Sequence, residues 1–246
     1  MVKPTVPISF GEFKFSVDEI EEFLRGAPPD ERFQKPFPPK IYRLKSGEPI
    51  IVRPATKDEG PAMLQTLKQL IDSKYDKDFY HLVAVRTYSE ILAWMQNRLK
   101  DGYVIVATDR DGELMGIVNH RYFNEDVCIS LHTIVFKRAE RLGIFLYAAK
   151  VEHAFDVVGV NEWWATFESP FGFRMGFRLQ HTTKPWPQVQ HELGGARVYY
   201  ITREQWNKSV KPYLTSVGLM GERPVPEDVL KKTIPLKPTS KLEIEF

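Results

Sequence analysis

Cysteine is nearly absent from the 246-residue chain, which contains one, Cys128. A single thiol excludes an intramolecular disulfide and a cysteine-rich zinc site, and it favours a reducing compartment. We expect Cys128 to be a small buried side chain in a strand. No window approaches the roughly 18 apolar residues that a membrane span needs, and the amino terminus lacks the apolar core of a signal peptide. We therefore expect a cytoplasmic protein that does not enter a membrane.

An excess of charge of one sign is also lacking. Thirty-four Lys and Arg residues accompany 32 Asp and Glu residues, which leaves a net charge of +2. This excess is too small to supply the counterion release that drives non-specific binding to nucleic acid, so we expect no nucleic-acid partner. His81, His153 and His191 lack a His-x-x-x-His spacing, and we predict no metal site.

The apolar and charged fractions, 43% and 27%, are typical of a globular protein. Prolines are concentrated near both ends of the chain, whereas periodic apolar patterns fill the stretch between them. We predict a proline-rich N-terminal extension over residues 1–48, with one short helix that opens at a capping box, Ser16–Glu19. A folded domain then covers residues 49–206, and a second proline-rich extension covers residues 207–246.

Strand and helix signals follow one another within the domain. A strand is predicted from Pro49, and Thr56–Glu59, Thr87–Glu90 and Thr202–Gln205 have the spacing of capping boxes that open helices. Asp111-Gly112 between two apolar runs predicts a hairpin, and the run CISLHTIVF predicts a central strand. GIFLYAAKVEHAFDVV predicts a helix and EWWATFE a further strand, as in a right-handed crossover. The order β α α β β β α β α β predicts an α+β fold.

A candidate anion site follows the CISLHTIVF strand. The loop after this strand carries Arg138 and Arg141, and Gly143 stands at the start of the next helix. Backbone N–H groups at a helix N-terminus, the positive end of the helix dipole and guanidinium groups would converge there on a phosphate. The alternative is that both arginines are solvated loop charges and that Gly143 only eases a tight turn.

Several segments together carry a family resemblance. IIVRPATKDE, the two helices after it, the hairpin at DRDGELMG and the strand, loop and helix just described resemble the GNAT acetyltransferase superfamily over roughly residues 50–206. In that family the sheet is mixed and mostly antiparallel, a strand hydrogen-bonds the pantetheine arm of coenzyme A, and an R/Q-x-x-G-x-G/A loop holds its pyrophosphate. The resemblance implies acetyl-CoA, or another acyl-CoA, as co-substrate, bound by Thr133, Ile134, Val135, Arg138, Arg141, Leu142, Gly143, Ile144 and Phe145.

Two alignments of the family's loop are open. With Arg138 on the leading position, Arg141 and Gly143 take the two glycine positions. With Gly143 on the first glycine, Glu140 takes the leading position and Phe145 the second small one. A bulky side chain narrows a loop where phosphate approaches the backbone, and Glu140 adds a negative charge there.

The resemblance implies direct attack of an acceptor amine on the thioester. Such a reaction needs a base for the amine, donors for the oxyanion and an acid for the departing thiolate. We favour Glu168, at the end of the EWWATFE strand, as the base over His132 on the central strand. The alternatives are that Glu168 caps a turn and that His132 packs as a core residue.

The acid and the acceptor contacts are less specified. The family's sequence ends in apolar-Tyr-x-x-x-Gly-Phe, and its Tyr often serves as the general acid. Gly172 stands in the place of that Tyr here, so that Tyr199, Tyr200 or water would supply the proton to the thiolate. We expect Tyr80 and His81, in the connection between the first two helices, to contact the acceptor. Trp164 is a further candidate because neighbouring strand residues point to opposite faces, which places one of Trp163 and Trp164 in the core and leaves the other for the cleft.

These observations predict a cytoplasmic acyl-CoA-dependent N-acyltransferase that acts on a small-molecule or peptide amine. A homodimer is compatible with the sequence. The alternative is a non-catalytic ligand-binding or assembly module derived from the same fold, which the altered loop and the missing Tyr favour.

Overall fold

The computed structural model describes Glu19 and residues 35–44, 46–74, 80–99, 102–137, 141–191 and 196–244. The capping box predicted at Ser16–Glu19, apart from Glu19 itself, and the body of the short helix after it lie outside the described residues. Arg138 and Glu140, which the two loop alignments use, also lie outside them.

The described strands form one eight-stranded sheet in the order β1-β2-β3-β4-β5-β6-β8-β7. Their bounds are β1 (Lys40–Arg43), β2 (Pro49–Pro54), β3 (Gly102–Thr108), β4 (Leu114–Asn124), β5 (Val127–Val135), β6 (Glu162–Ala165), β7 (Thr182–Thr183) and β8 (Tyr199–Thr202). Every neighbouring pair is antiparallel except β5 and β6, which are parallel. The prediction of an α+β fold with a mixed, mostly antiparallel sheet is confirmed.

Helices connect and cover these strands. They are α1 (Gly60–Ile71), α2 (Tyr80–Met95), α3 (Leu142–Glu152), α4 (Pro170–Arg178), α5 (Arg203–Gln205), α6 (Lys211–Ser216) and α7 (Glu227–Lys232). A 3-10 turn, Lys57–Glu59, leads into α1, and π-helical turns extend α3 (His153–Val158) and join α5 to α6 (Trp206–Val210). Because parallel strands need a crossover connection, α3 runs between β5 and β6, as the sequence predicts.

Three local sequence signals are confirmed. Glu59 Oε2 accepts a hydrogen bond from the Thr56 N–H at 2.9 Å, and the Gln205 N–H donates to Thr202 Oγ1 at 3.1 Å, so both capping boxes form. The predicted hairpin joins β3 to β4. Gly112 in its turn has φ +86°, a left-handed conformation in which a side chain is strained.

The capping box predicted at Thr87–Glu90 is wrong. The helix α2 already begins at Tyr80, so both residues lie inside it, and the Thr87 hydroxyl donates to the Val83 carbonyl at 2.7 Å. Residues three apart lie on the same face of a helix, and the pattern Thr-x-x-Glu therefore also occurs in helix interiors. Glu90 is consequently available for contacts with the sheet.

Apolar side chains fill both faces of the sheet. One cluster packs Ile105, Val118 and Cys128 against α3, and Cys128 is buried as predicted. The other packs Val106 and Ile117 against α1 and α2. Each such side chain stabilises the fold by about 1.5–3 kcal/mol relative to exposure. In the centre of the sheet, β5 therefore lies between two apolar layers.

A buried carboxylate on α3 connects segments from both ends of the chain. Lys40 Nζ donates to Glu152 Oε2 and to the Met220 carbonyl, each at 2.6 Å, and Arg223 Nη1 donates to Glu152 Oε1 at 3.0 Å. Burial lowers the pKa of Lys40, and Glu152 partly opposes this effect. These contacts fasten β1 and the C-terminal segment to α3. The boundaries proposed at residues 48 and 206 stay predictions.

Candidate functional site

A cleft opens between the parallel strands β5 and β6. The last residue pair between them is Ile129 with Trp164, after which β5 continues to Val135 whereas β6 ends at Ala165. A cavity of about 470 Å³ lies at this divergence. Residues 130–133 of β5, residues 166–169 after β6, the first turn of α3 and the helix α4 line it. The described part of the chain thus provides an elongated groove in the middle of the sheet.

A β-bulge in β5 shapes one wall of the cleft. Between the pairs Val118↔Thr133 and His120↔Ser130, β5 has one residue more than β4. An extra residue reverses the alternation of side chains. Ser130 accordingly contacts α3, whereas His132 contacts α2 on the opposite face of the sheet.

The bulge leaves backbone groups of β5 to be satisfied by side chains. The His132 N–H donates to Asn119 Oδ1 at 2.9 Å, and the His132 carbonyl accepts from Lys150 Nζ at 3.0 Å. Because buried backbone groups without partners are costly, these two contacts fix the irregular geometry of the strand at the cleft.

Glu90 and His132 form an acid–base pair at the cleft wall. His132 Nε2 lies 3.0 Å from Glu90 Oε1, and Asn119 Nδ2 donates to Glu90 Oε2. His132 is buried and lines the cleft, and the Glu90 side chain is 18% exposed. Since the carboxylate accepts from Nε2–H, the neutral imidazole has its lone pair on Nδ1. The sequence singled out Glu90 only as part of the Thr87–Glu90 pattern, which predicts a capping box and not a contact with His132.

Glu168, the base favoured from the sequence, also lines the cleft. Its carboxylate accepts from Arg86 Nη1 at 2.6 Å, and about a third of its side chain is exposed. The turn after it is capped by Ser169, whose hydroxyl accepts from the Gly172 N–H. Glu168 therefore differs from His132 in having a cation as its partner.

The first turn of α3 has the geometry of an anion site. Its N-cap, Arg141, has φ +60°, and its carbonyl accepts from the N–H groups of Ile144 and Phe145 at 3.1 and 3.2 Å, so the N–H groups of Leu142 and Gly143 are the ones at the helix start without a partner inside the helix. Gly143 and Ile144 line the cleft, whereas Phe145 packs on Tyr42 in the core, with ring centroids 4.7 Å apart. The Phe145 side chain therefore does not block the cleft.

Cationic side chains also line the cleft. Its lining includes four of them: Lys137, Arg141, Arg174 and Arg178. Lys137 is at the limit of ion-pair distance from Glu243, 4.0 Å. Among the described residues no carboxylate lies within ion-pair distance of the three arginines. The positive end of the α3 dipole adds to their field, which favours a polyanionic ligand.

The remaining predicted residues are distributed unevenly. Tyr80, Thr133, Val135 and Leu142 line the cleft, whereas Ile134 is buried beneath α1 and α2. His81 lies near Ser73 Oγ, at 3.5 Å, and is not among the cleft-lining residues.

The predicted acid and the predicted tryptophan lie away from the cleft lining. Tyr199 packs on Phe167 and Phe173, with ring centroids 5.1 and 6.0 Å apart. Trp164 Nε1 donates to Glu162 Oε2 at 2.6 Å, and its ring contacts Phe123. The structure thus brings together His132, Glu168, Tyr80 and the start of α3, and it adds Glu90, Arg174 and Arg178, which the sequence did not indicate.

The arrangement of β5, the loop after it, α3 and the parallel strand β6 is the one that the resemblance to the GNAT acetyltransferases predicts, and the chain has that fold. Neither a protein-family model nor a curated protein sequence matches the chain.

Solved structures are similar to it. An uncharacterized protein from Bacillus halodurans is 10% identical, with a TM-score of 0.52 over 73% of this chain and 98% of that one. RimJ of Mycobacterium smegmatis, in complex with CoA-disulfide, is 16% identical with a TM-score of 0.49 over 73% and 94%. The PaiA N-acetyltransferase of Thermoplasma acidophilum, in complex with coenzyme A, is 13% identical with a TM-score of 0.45 over 62% and 98%. At 10% identity, the likeness to the Bacillus halodurans protein concerns the fold alone.

The described residues lack two further features. None of their helices is both long and apolar enough to span a membrane. Within the same part of the chain, no three His, Cys, Asp or Glu side chains are grouped as metal ligands.

Proposed function

We propose that the protein is an acyl-CoA-dependent N-acyltransferase that transfers an acyl group, acetyl in the first instance, to an amine. The observation that carries this proposal is the cleft between β5 and β6, whose lining combines the start of α3 and four cationic side chains with His132 of the Glu90–His132 pair. His132 and Lys137 are five residues apart along an extended segment, on the order of 16 Å. Such a cleft suits a ligand with phosphates at one end and a reacting carbonyl at the other.

The co-substrate would be held mainly by charge at its phosphate end. Lys137, Arg141, Arg174 and Arg178 would bind the phosphates, together with the N–H groups of Leu142 and Gly143 at the start of α3. Val135, Gly143 and Ile144 line the path from there toward His132. The predicted contact of Arg138 belongs to the same proposal.

The backbone at Arg141 supports the first of the two loop alignments. Its φ of +60° is the conformation that glycine adopts most readily, and that alignment places Arg141 on the first glycine position of the family's loop. Gly143 then takes the second position and faces the cleft. The alternative alignment would place Phe145 there, although its ring packs on Tyr42 in the core.

His132 would act as the base for the acceptor amine. Glu90 orients the imidazole through Nε2–H, which leaves Nδ1 to accept the amine proton, and the carboxylate stabilises the imidazolium that forms. The bound acyl-CoA supplies a thioester whose carbonyl the amine attacks, forming an amide and releasing a thiol. Glu168 is the second candidate base, held by Arg86.

Water would return the proton to the thiolate. The ring of Tyr199 is packed between phenylalanines, so we do not retain it as the acid. A Cβ atom at Gly172 would lie 3.3 Å from Phe167 Cδ1 and 3.4 Å from Ser169 Oγ, so a tyrosine there would require Phe167 to shift. Tyr80, the first residue of α2, lines the cleft and is the acceptor contact that we propose.

A non-catalytic ligand-binding module remains the second candidate function. It is favoured by an arginine at the left-handed position of the loop and by glycine in place of the family's tyrosine. In that case the cleft would bind an acyl-CoA without transferring the acyl group.

Calorimetric titration with acetyl-CoA, followed by thiol-release assays with a panel of amines, tests both candidates. If the protein is an acyltransferase, it binds acetyl-CoA, and the double variant Arg174→Ala/Arg178→Ala binds it more weakly. The control variant Lys208→Ala, which removes an exposed cation paired with Glu204, should bind acetyl-CoA as the unaltered protein does. Absence of binding at millimolar acetyl-CoA would reject the acyltransferase. Binding without thiol release for any amine would favour the module.

A further inference from the structure

A buried lysine lies beside a serine of the cleft wall and is not used by the proposed reaction. Lys150 Nζ, on α3, is 2.7 Å from Ser130 Oγ and donates to the His132 carbonyl at 3.0 Å. Lys150 is fully buried, and Ser130 lines the cleft. The lysine therefore reaches the cleft only through the serine hydroxyl.

The surroundings of Lys150 favour a neutral amine. Its Nζ lies 5.1 Å from the Tyr147 ring centroid and 5.7 Å from that of Trp163. Among the described residues no carboxylate is within ion-pair distance of it. Burial lowers the pKa of Lys150 well below its usual value, and the more distant Glu90 opposes this effect only in part. A neutral amine has a lone pair that can accept a proton.

Ser130 and Lys150 have the geometry of a nucleophile and its base. A neutral Lys150 can donate one N–H to the His132 carbonyl and accept the Ser130 hydroxyl proton with its lone pair. The His132 carbonyl belongs to the bulge of β5, and the N–H of the same residue donates to Asn119 Oδ1, which fixes the backbone there. A nucleophile, a base within hydrogen-bond distance and a third group that orients the base are the parts of covalent acyl transfer.

We propose that Ser130 and Lys150 form a nucleophilic dyad that cleaves acyl thioesters in the cleft when no amine is bound. The identity of the thioester, an acyl-CoA, rests on the proposed function. The Ser130 proton moves to Lys150 Nζ as Oγ bonds to the acyl carbon. The carbon–sulfur bond then breaks, and Lys150 gives the proton to the departing thiolate, which leaves as a thiol.

Water completes the cycle. Lys150 takes a proton from a water molecule that attacks the acyl-serine carbonyl, the bond to Ser130 Oγ breaks, and the proton returns to Oγ. The products are a carboxylic acid and a thiol, and the dyad regains its starting protonation. The protein would thus hydrolyse acyl thioesters slowly without an acceptor, through an intermediate that direct transfer to an amine does not form.

The intermediate is measurable on the intact protein. The protein is mixed either with acetyl-CoA or with p-nitrophenyl acetate, a small activated ester that needs no coenzyme site, and is quenched with acid at successive times. Mass spectrometry is expected to show one added acetyl group, and peptide fragmentation is expected to place it on Ser130. Hydroxylamine is expected to remove it, because it is an ester.

Variants separate the chemistry from folding. Ser130→Ala should lose the acetyl group, and Ser130→Cys should regain it through a thiol. Lys150→Met should lower the rate of acylation roughly 100-fold or more, the usual contribution of a positioned base. Ser89→Ala, which changes an exposed hydroxyl on α2, serves as the control. If Lys150→Met does not fold, as judged by circular dichroism, the two serine variants decide the question.

The two probes also separate this inference from the proposed function. Acetyl-CoA binding and transfer to an amine, with no acetyl-Ser130 from either probe, would overturn the dyad and leave the acyltransferase intact. Acetyl-Ser130 from p-nitrophenyl acetate, without any binding of acetyl-CoA, would support the dyad and reject the acyltransferase. Acetylation of Lys150 itself, or of surface residues alone, would overturn the dyad.

Discussion

Glu90 and His132 are 42 residues apart in the sequence, and their side chains are 3.0 Å apart in the structure. One lies in α2 and the other within the bulge of β5, so the contact depends on how the helix packs on the sheet. Asn119 completes the group from β4, because it holds the backbone of His132 and the carboxylate of Glu90.

We expect His132→Ala to lower kcat for amine acetylation by roughly 100-fold or more, because a general base is removed. Glu90→Gln should lower it by a smaller factor, since the amide still orients the ring but does not stabilise the imidazolium. The double variant should be no slower than His132→Ala, because Glu90 acts through His132. Steady-state kinetics at saturating acetyl-CoA measures these effects. A full-rate His132→Ala enzyme would make Glu168 the base.

The cationic side chains that line the cleft should control affinity for the co-substrate. We expect Arg174→Ala/Arg178→Ala to raise Kd for acetyl-CoA about tenfold or more for each charged hydrogen bond that is lost, at about 1.5–3 kcal/mol each. Because the contacts are ionic, the affinity of the unaltered protein should also fall with salt, and the variant should show a weaker salt dependence. Titration calorimetry at two ionic strengths measures both. An unchanged Kd would place the phosphates elsewhere.

Arg141 gives a test of the loop alignment. A left-handed backbone costs a non-glycine residue about 1–2 kcal/mol. The free energy of unfolding of Arg141→Gly should therefore be higher than that of Arg141→Ala by about 1 kcal/mol. Both variants lose the same charge. If Arg141 occupies the first glycine position, Arg141→Gly should also bind acetyl-CoA more tightly than Arg141→Ala. Equal affinities would favour the second alignment.

The ion pair between Arg53 and Glu59 should contribute strongly to stability. Arg53 Nη2 and Nη1 donate to Glu59 at 2.6 and 2.8 Å, both side chains are buried, and Arg53 also donates to the Thr233 carbonyl. Removing one member of a buried pair leaves an unpaired charge, so Glu59→Ala should lower the free energy of unfolding by about 3–5 kcal/mol.

Urea denaturation measures this loss. The matched control is Asp72→Ala, which breaks an exposed pair with Lys68 and should change stability by less than about 1 kcal/mol. Similar effects for the buried and the exposed pair would contradict the burial of Glu59.

Buried histidines should make the fold sensitive to mild acid. Burial lowers the pKa of His153 and His191 to about 4, and that of His120 well below 6.5. The unfolded chain protonates these groups near pH 6.5, whereas the folded chain does not, so the unfolded state binds more protons between pH 6.5 and about 4. Stability should therefore fall as the pH falls through this window, by about 1.4 kcal/mol per pH unit for each histidine near pH 5.

His153 is the residue on which to test this dependence. Its Nε2–H donates to the Lys35 carbonyl at 2.8 Å, so its Nδ1 accepts from His120 Nε2–H at 2.9 Å, and both rings are held neutral. Urea denaturation at pH 7 and pH 5 should show a loss of stability that is smaller in His153→Gln. Equal stability of the unaltered protein at the two pH values would contradict the prediction.

Local signals predicted the frame of the fold well. The capping boxes at Thr56 and Thr202, the turn at Gly112 and the apolar run of β5 depend on neighbouring residues, and each formed where the pattern indicated. The Thr87–Glu90 pattern failed because the same spacing occurs inside helices. Nothing in the local sequence distinguishes a helix start from a helix interior at this point.

The site depends on contacts that no local pattern encodes. Lys150 is one of many positions on an alanine-bearing helix, and only the packing of α3 on the sheet brings it to Ser130. Arg174 and Arg178 are ordinary helical arginines until α4 lies along the cleft. The bulge in β5 appears only in its pairing with β4, because register is a relation between two strands.

The amino-acid sequence by itself determined the order of strands and helices from β2 to β8 apart from the two-residue strand β7, the parallel crossover at α3 and the resemblance to the GNAT acetyltransferases, since these follow from apolar periodicity, turn chemistry and short motifs. It did not indicate β1, which lies in the predicted N-terminal extension. The tertiary structure alone decided which side chains meet in the cleft. A one-residue bulge turns His132 toward Glu90 while Ser130 faces Lys150, and that choice is made by long-range packing between the two helical layers and the sheet.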